Sequence, residues 1–272
     1  MSPRVHKRHP IVAVLLVLLT VTYLLALVGF PIAAVVYNAF AEGWEAFRDA
    51  ILDDETQHAL RLTLLVCAIV VPLNTIFGLA AAWVLARQRF VCRGTLAAFV
   101  NLPLALSPTI VGLLIVLAYS PTIGMLREPV NALHLQILFA TPALVLATLL
   151  VTMPLVALEV LPSLEHLDGS EEQAAMTLGA TAWQTFRKVI FPAIRWSVVY
   201  GVVLCLAKAA GEFGAVSGVS GKLIGETNTL TLHIERTYGE WETTQAFASS
   251  TLLTGLALIT LLINLVLSKP KH

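Results

Sequence analysis

The 272 residues are 57% hydrophobic and only 12% charged, with a mean hydropathy of +0.83, whereas an ordinary soluble domain carries about 25% charged residues. Seventeen basic and seventeen acidic side chains cancel, so no overall field points to nucleic acid or to an anionic surface. Water is not the main solvent of this chain, and an all-α polytopic membrane protein is expected.

A hydrocarbon core about 30 Å thick needs roughly 20 apolar residues in a helix rising about 1.5 Å per residue. Six stretches qualify, near 11–37, 60–86, 95–119, 137–161, 195–217 and 246–267. The expected organisation is a basic tail over 1–10 followed by one six-span transmembrane domain over 11–268. The first span has the trappings of a secretory signal, with Arg4, Lys7 and Arg8 before it and Ala39-Phe40-Ala41 after it. Its apolar run of roughly 26 residues far exceeds the 7 to 15 of a signal core, so it reads as an uncleaved anchor. His6 and His9 lie in the basic tail and fit topology better than metal binding. Cys67, Cys92 and Cys205 stand far apart and match no metal or redox spacing, so they read as small apolar residues. No metal site is expected.

The third span is interrupted by Asn101, Pro103, Ser107 and Pro108. These residues either unwind it at a substrate path or are tolerated as proline is in ordinary membrane helices.

An even number of crossings puts both termini on one side. The tail, the connection with Arg87, Arg89 and Arg93, the connection with Arg187, Lys188 and Arg195, and the C-terminal Lys269 and Lys271 together hold eleven basic residues. The opposite connections hold four, Arg48, Arg127, Lys222 and Arg236, and are acidic before the second span. Basic residues mark the cytoplasmic side, so both termini and the long connection 162–194 are expected there.

Within that connection, Ser170-Glu171-Glu172-Gln173 has the form of a capping box. The helix it opens runs through Ala174 and Ala175 to Gly179, which suits a left-handed closure. Thr181 to Gln184 offers a second box, and Phe186, Val189 and Ile190 recur at helical spacing until Pro192 interrupts them. Two short helices joined at glycine are expected.

The order Gln173-Ala174-Ala175, Gly179, then Val189-Ile190-Phe191-Pro192 resembles the EAA loop of ATP-binding cassette (ABC) importer permeases. In that family the loop's short coupling helix sits in a cleft on the ATPase subunit, and alanines allow close seating there. The resemblance implies a type I importer permease fold, with Glu172, Gln173, Ala174, Ala175, Gly179 and Pro192 as the ATPase-coupling residues. The family's usual glutamate is Gln173 here, so docking is expected to rest on shape and on Glu172.

Gly211, Gly214, Gly218, Gly221 and Gly225 fall at intervals of 3 and 4, one bare stripe if the segment is helical. Such a stripe permits tight helix packing or forms a wall of a path where amides meet an anion, with Ser217 and Ser220 adding hydroxyls. Lys208 and Glu212, four apart at membrane depth, read either as a mutually satisfied pair or as a place where Lys208 attracts an anion. Candidate path residues are Lys208, Glu212, Gly214, Ser217 and Ser220.

The run Gly211-Glu212-Phe213-Gly214-Ala215-Val216-Ser217 and the segment Gly225-Glu226-Thr227-Asn228-Thr229-Leu230-Thr231-Leu232, followed by His233-Ile234-Glu235, resemble the sulfate/thiosulfate importer permeases, in their W-type branch. Molybdate permeases share the Gly211-Glu212-Phe213-Gly214-Ala215 segment and a threonine-leucine outer loop, so a molybdate or tungstate permease is the nearest alternative, and the resemblance of Glu226-Thr227-Asn228-Thr229-Leu230-Thr231-Leu232-His233 favours sulfate. The chain has no Gly-x-x-x-x-Gly-Lys-[Ser/Thr] loop, so P-loop binding of ATP is not expected of it. No cofactor is expected on this subunit. The resemblance implies two copies of a partner ATPase that use ATP and magnesium, a T-type permease partner, a periplasmic sulfate-binding protein and a lipid surround in the bacterial inner membrane.

Two other classes compete. An ion-coupled secondary transporter wants buried carboxylates, and only Glu159 and Glu212 qualify. An intramembrane enzyme wants a nucleophile with its base, and the spans show no such constellation.

Overall fold

The computed structural model describes residues 10–133 and 135–267. Arg4, Lys7, Arg8, His6 and His9 of the basic tail, and Lys269 and Lys271, lie outside the described residues.

Every element among the described residues is helical. The first span is built from α1 (Pro10–Leu24) and α2 (Phe30–Ala39), joined through a π turn at Leu25–Gly29. A short amphipathic helix, α3 (Trp44–Leu52), follows and buries Phe47 against Ala39 and Ala248. The second span is α4 (Asp54–Arg87), whose 34 residues extend about 51 Å at 1.5 Å each. It therefore outreaches the hydrocarbon core and has ends available for contacts outside the lipid. Its start is fixed by Asp53, whose carboxylate accepts from the amides of Glu55 and Thr56 at 3.1 and 3.2 Å, the usual way to satisfy orphan donors at a helix N-terminus.

The third span is broken. The helices α5 (Arg93–Ala105) and α6 (Pro108–Tyr119) meet at 109° across Leu106 and Ser107, where Pro108 bars an α conformation for the residue before it. A short helix, α7 (Arg127–Ala132), lies in the connection that follows, and the fourth span is α8 (Thr141–His166). Then come α9 (Ser170–Thr177), α10 (Ala182–Thr185), a π turn at Phe186–Ile190 and α11 (Phe191–Ala210). Last are α12 (Gly214–Val219), α13 (Leu230–Gly239) and α14 (Thr243–Leu267), the sixth span. Among the described residues, five helical runs are long and apolar enough to cross a bilayer, and the bent α5–α6 pair brings the number to six when it is counted as one span.

Parallel neighbours α4 and α8 form the spine. Near one end Leu62 and Val66 pack with Leu144, Val111 and Ile115; toward the other, Ala82 packs with Val156, Val160, Ile194 and Val198. Lipid tails are as apolar as leucine, so contact geometry rather than water exclusion holds such helices together. Val156 illustrates it: a Cβ on Gly78 would lie 2.7 Å from the Val156 Cβ, and one on Gly201 3.0 Å from its Cα. Only glycine lets α4 and α11 approach α8 from both sides. Between them Asn74 donates to Thr152 Oγ1 at 2.7 Å and to the Leu149 carbonyl at 3.2 Å. Interhelical bonds of this kind average about 0.6 kcal/mol, so packing dominates and Asn74 fixes register. The outward residues, Leu15 to Leu19, Leu113 and Leu261 among them, are exposed, as a hydrocarbon solvent requires.

Three expectations need correction. The fifth span ends at Ala210, not 217, and the glycines do not form one helical stripe. Gly211 caps α11, Gly214 and Gly218 belong to α12, and Gly221 and Gly225 sit in turns at φ +68° and +77°. Next, Pro192 does not interrupt the helix before it. The run from Ala182 to Ala210 is continuous because the π turn sends the Phe191 amide back to the Phe186 carbonyl, five residues away, and this extra residue accommodates the proline ring. Finally, the Ser170 capping box does not form, as described next.

Candidate functional site

The connection between α8 and α11 reduces to one free helix, α9. Its first residue follows Gly169, which is left-handed at φ +79°. Asp168, not Ser170, satisfies the start: its carboxylate accepts from the Ser170 amide at 2.9 Å and hydroxyl at 2.7 Å. These two bonds favour the charged form and hold the Asp168 carboxyl below its ordinary range. An aspartate two residues ahead thus outcompetes the serine box.

At its other end α9 closes as a Schellman motif. Gly179 takes φ +84°, its amide meets the Met176 carbonyl at 2.9 Å, and the Ala180 amide meets that of Ala175 at 3.0 Å. The Thr181–Gln184 box does form, with both reciprocal bonds present.

None of the eight residues of α9 is buried. A hollow of about 230 Å³ separates its first turn from Leu167, Val189 and Ile190. Gln173, Ala174 and Ala175 lie on this unpacked helix, Leu178 is 89% exposed just beyond it, and Trp183 is 68% exposed. Glu172 differs from its neighbours. It is paired with Arg87 at the end of α4, both side chains being four-fifths or more buried. Arg87 also donates to the Leu167 carbonyl at 3.1 Å.

The candidate path residues divide. Glu212 is 3% exposed; one carboxylate oxygen accepts from the Ala215 amide at 3.0 Å and the other pairs with Lys208 at 3.1 Å. Thr63, Thr148, Thr229 and Thr231 line a small hollow beside it. Lys208 itself is half exposed. Gly214 is pressed on α6, where an added Cβ would lie 2.9 Å from Pro108. Gly112 is pressed still harder from the other side, at 2.6 Å from the Ala215 carbonyl oxygen. Ser217 is partly exposed and donates to the Gly214 carbonyl at 3.0 Å. Ser220 is fully buried; it donates to the Thr227 carbonyl at 2.8 Å and accepts from the Lys222 amide at 2.9 Å, which locks the turn around Gly221.

Beyond this turn lies a cluster that residue patterns did not disclose. His233 is fully buried, with Nε2 at 3.0 Å from the Thr56 hydroxyl. Gln245 donates to Asp53 at 2.9 Å and to Thr56 at 3.3 Å. Arg236 pairs with Glu55 and, at 2.8 Å, with Glu240, and the Leu230 amide donates to Thr63 at 2.9 Å. Burial, with the Arg236 charge adding to it, pushes the His233 imidazole below its ordinary range against Glu55, Asp53 and Glu240. The start of α4, all of α13 and the start of α14 thus form one cap. Among the described residues no group of three or more His, Cys, Asp or Glu is placed to hold a metal ion.

Comparison with known proteins gives a consistent result. Residues 74–268 match the family described as binding-protein-dependent transport system inner membrane component. The sulfate transport system permease protein CysW of Synechococcus elongatus is 45% identical over 249 residues, covering 92% of this chain and 87% of that protein. The sulfate transport system permease protein CysT of Escherichia coli K12 is 32% identical over 231 residues, covering 85% and 83%. Among solved structures, a bacterial alginate ABC transporter in complex with its alginate pentasaccharide-bound periplasmic protein superposes with a TM-score of 0.76 at 18% identity, covering 94% and 92%. That likeness establishes the fold. On these grounds the chain belongs to the binding-protein-dependent transport system inner membrane components, in the branch of the CysW permeases.

Proposed function

We propose that this subunit forms half of the membrane pathway of an ATP-driven importer of sulfate and thiosulfate. Sulfate is a strongly hydrated dianion that cannot cross hydrocarbon unaided, so its carrier must present a polar path that opens to one side at a time. The sulfate assignment draws on the named cargo of relatives alike over most of their length. The coupling assignment is carried by one observation: α9 is a two-turn helix with no buried residue, set between two left-handed glycines.

Such a helix is poorly explained as a tie between spans. Its small face of Ala174 and Ala175 and its exposed Met176 and Leu178 suit the cleft of another protein, here an ATPase subunit. Two ATPase copies supply hydrolysis with ATP and magnesium. A T-type permease completes the path, and a periplasmic sulfate-binding protein delivers the anion. Both termini and α9 are cytoplasmic in this reading, which the eleven-to-four distribution of basic residues supports. The end bearing Asp54 and α13 is then periplasmic.

Closure of the ATPases moves α9, the spans rotate, and the path opens outward. Within the path, Lys208 is the cation presented to the anion, because its ammonium is half exposed while its partner Glu212 is buried. Ser217 is placed one turn further into α12. Gly214 and Ser220 serve the path indirectly, by seating α12 on α6 and closing the turn that follows.

Replacing Gly179 with tryptophan tests the coupling assignment. The position has φ +84° and nothing within 4 Å of an added Cβ, so the substitution perturbs α9 without a clash in the bundle. Loss of ATPase co-purification and of sulfate-dependent ATP turnover is expected; wild-type values for both would sink the assignment.

A further inference from the structure

The loop that meets the ATPase must pass its movement to the far side of the membrane, yet α9 has few holds on the bundle. Its two joints are glycines in the left-handed region, and a hollow underlies its first turn. Among the described residues, the charged hold is the pair of Glu172 with Arg87. Glu172 lies in the first turn of α9, where a carboxylate already offsets the orphan amides, and Arg87 lies in the last turn of α4, where a cation offsets the orphan carbonyls. Each helix end therefore favours its own member of the pair. Arg87 also reaches the Leu167 carbonyl at 3.1 Å, so a single guanidinium joins the ends of α4 and α8 to the start of α9. Its planar fork makes the two contacts from separate nitrogens in fixed geometry, which the single nitrogen of a lysine does not offer.

The other end of α4 is clamped as well. Glu55 pairs with Arg236 and Thr56 meets His233, both partners lying on α13. The Leu230 amide at the start of α13 donates to Thr63 at 2.9 Å, and Thr231 donates to the Glu212 carbonyl at 2.9 Å. One helix of 34 residues thus carries a charged clip at each end, the first on α9 and the second on the element that contacts Glu212.

We propose that Arg87 is a positioning residue that ties α9 to α4, so that movement imposed on α9 is delivered along α4 to α13 and the Lys208–Glu212 pair. This rests on α9 being the ATPase contact. It also gives Glu172 an inward role: its charge holds α9 to its own subunit, and the ATPase is met by Gln173 and the alanine face.

The test uses the whole complex in vesicles, with radiolabelled sulfate as the probe. Arg87→Gln is expected to leave the ATPase bound and hydrolysing but to lower the sulfate moved per ATP by about fivefold or more, the low end of typical coupling between distant sites. The exchange Arg87→Glu with Glu172→Arg restores the pair and is expected to recover much of that ratio. A wild-type ratio in Arg87→Gln, or an exchange no better than either single change, overturns the proposal. Should Arg87→Gln fail to reach the membrane, Glu172→Gln carries the same test, since it alters one residue of a helix that packs little. Gly179→Trp separates the two levels: if it leaves ATPase binding and transport intact, the coupling assignment fails; if it uncouples while Arg87→Gln transports normally, only the tie fails.

Discussion

At the end of the bundle that bears Asp54, α4, α13 and α14 are bound to one another through His233, Thr56, Gln245, Asp53 and the Arg236 ion pairs. At the end that bears Arg87, α9 has no residue in the core, is held by the Glu172–Arg87 pair and lies between the left-handed Gly169 and Gly179. The same helix, α4, reaches both. Elements with few buried contacts open at low cost, while densely bonded ones open only with the whole fold. One end therefore carries stability and the other carries movement, and a lever needs both: a firm attachment to the load and a free arm for the force.

That contrast can be broken by substitution. The largest loss of stability is expected from His233→Ala, which empties a fully buried site and leaves the Thr56 hydroxyl with Gln245 alone, at about 2 to 4 kcal/mol. Thermal unfolding of the purified complex measures it, and an unchanged midpoint would mean that the cap is not a lock. Arg236→Ala removes the partner of both Glu55 and Glu240 from a mostly buried position, and should cost about 1 to 2 kcal/mol, between the worth of exposed and buried pairs. At the free end, Thr181→Ala deletes a formed capping box and should cost about 1 kcal/mol at most, with a disproportionate fall in sulfate moved per ATP. An equal loss of stability at both ends would erase the distinction.

The smallest effect is one of pH. His233 is held below its ordinary value of 6.5, so the unfolded chain takes up this proton first as pH falls. The unfolded state then binds more protons, and stability declines with falling pH from about 6.5 toward the folded value, while above that window the contribution is complete. His233→Gln should flatten this part of the profile; a slope retained in that variant would assign it to another group.

Much of the architecture was legible in the sequence because hydrocarbon imposes a length. The apolar spans and the two-turn helix ending at Gly179 follow from apolar runs and from what glycine permits, whereas the break before Pro108 is one of two readings that the prolines leave open. The misreadings have local causes. Asp168 captures the Ser170 amide ahead of the serine's own box, and a π turn lets the helix run through Pro192. The glycine intervals of 3 and 4 imitate a helical stripe although positive φ at Gly221 and Gly225 forbids one. Long-range pairs were invisible for a different reason. Arg87 reads as a topology marker and Glu172 as a docking charge until folding brings residues 85 positions apart into contact. A single asparagine in an apolar run, as at Asn74, is the kind of signal that marks a buried partner without naming it.

The most direct measurement is uptake of radiolabelled sulfate into vesicles that carry this subunit with its partner permease, supplied with the sulfate-binding protein, with and without the ATPase subunits. Accumulation that requires both the ATPase subunits and ATP on their side of the membrane is the predicted result. Uptake that persists without them under an ion gradient would contradict ATP-driven import and place the chain among ion-coupled carriers.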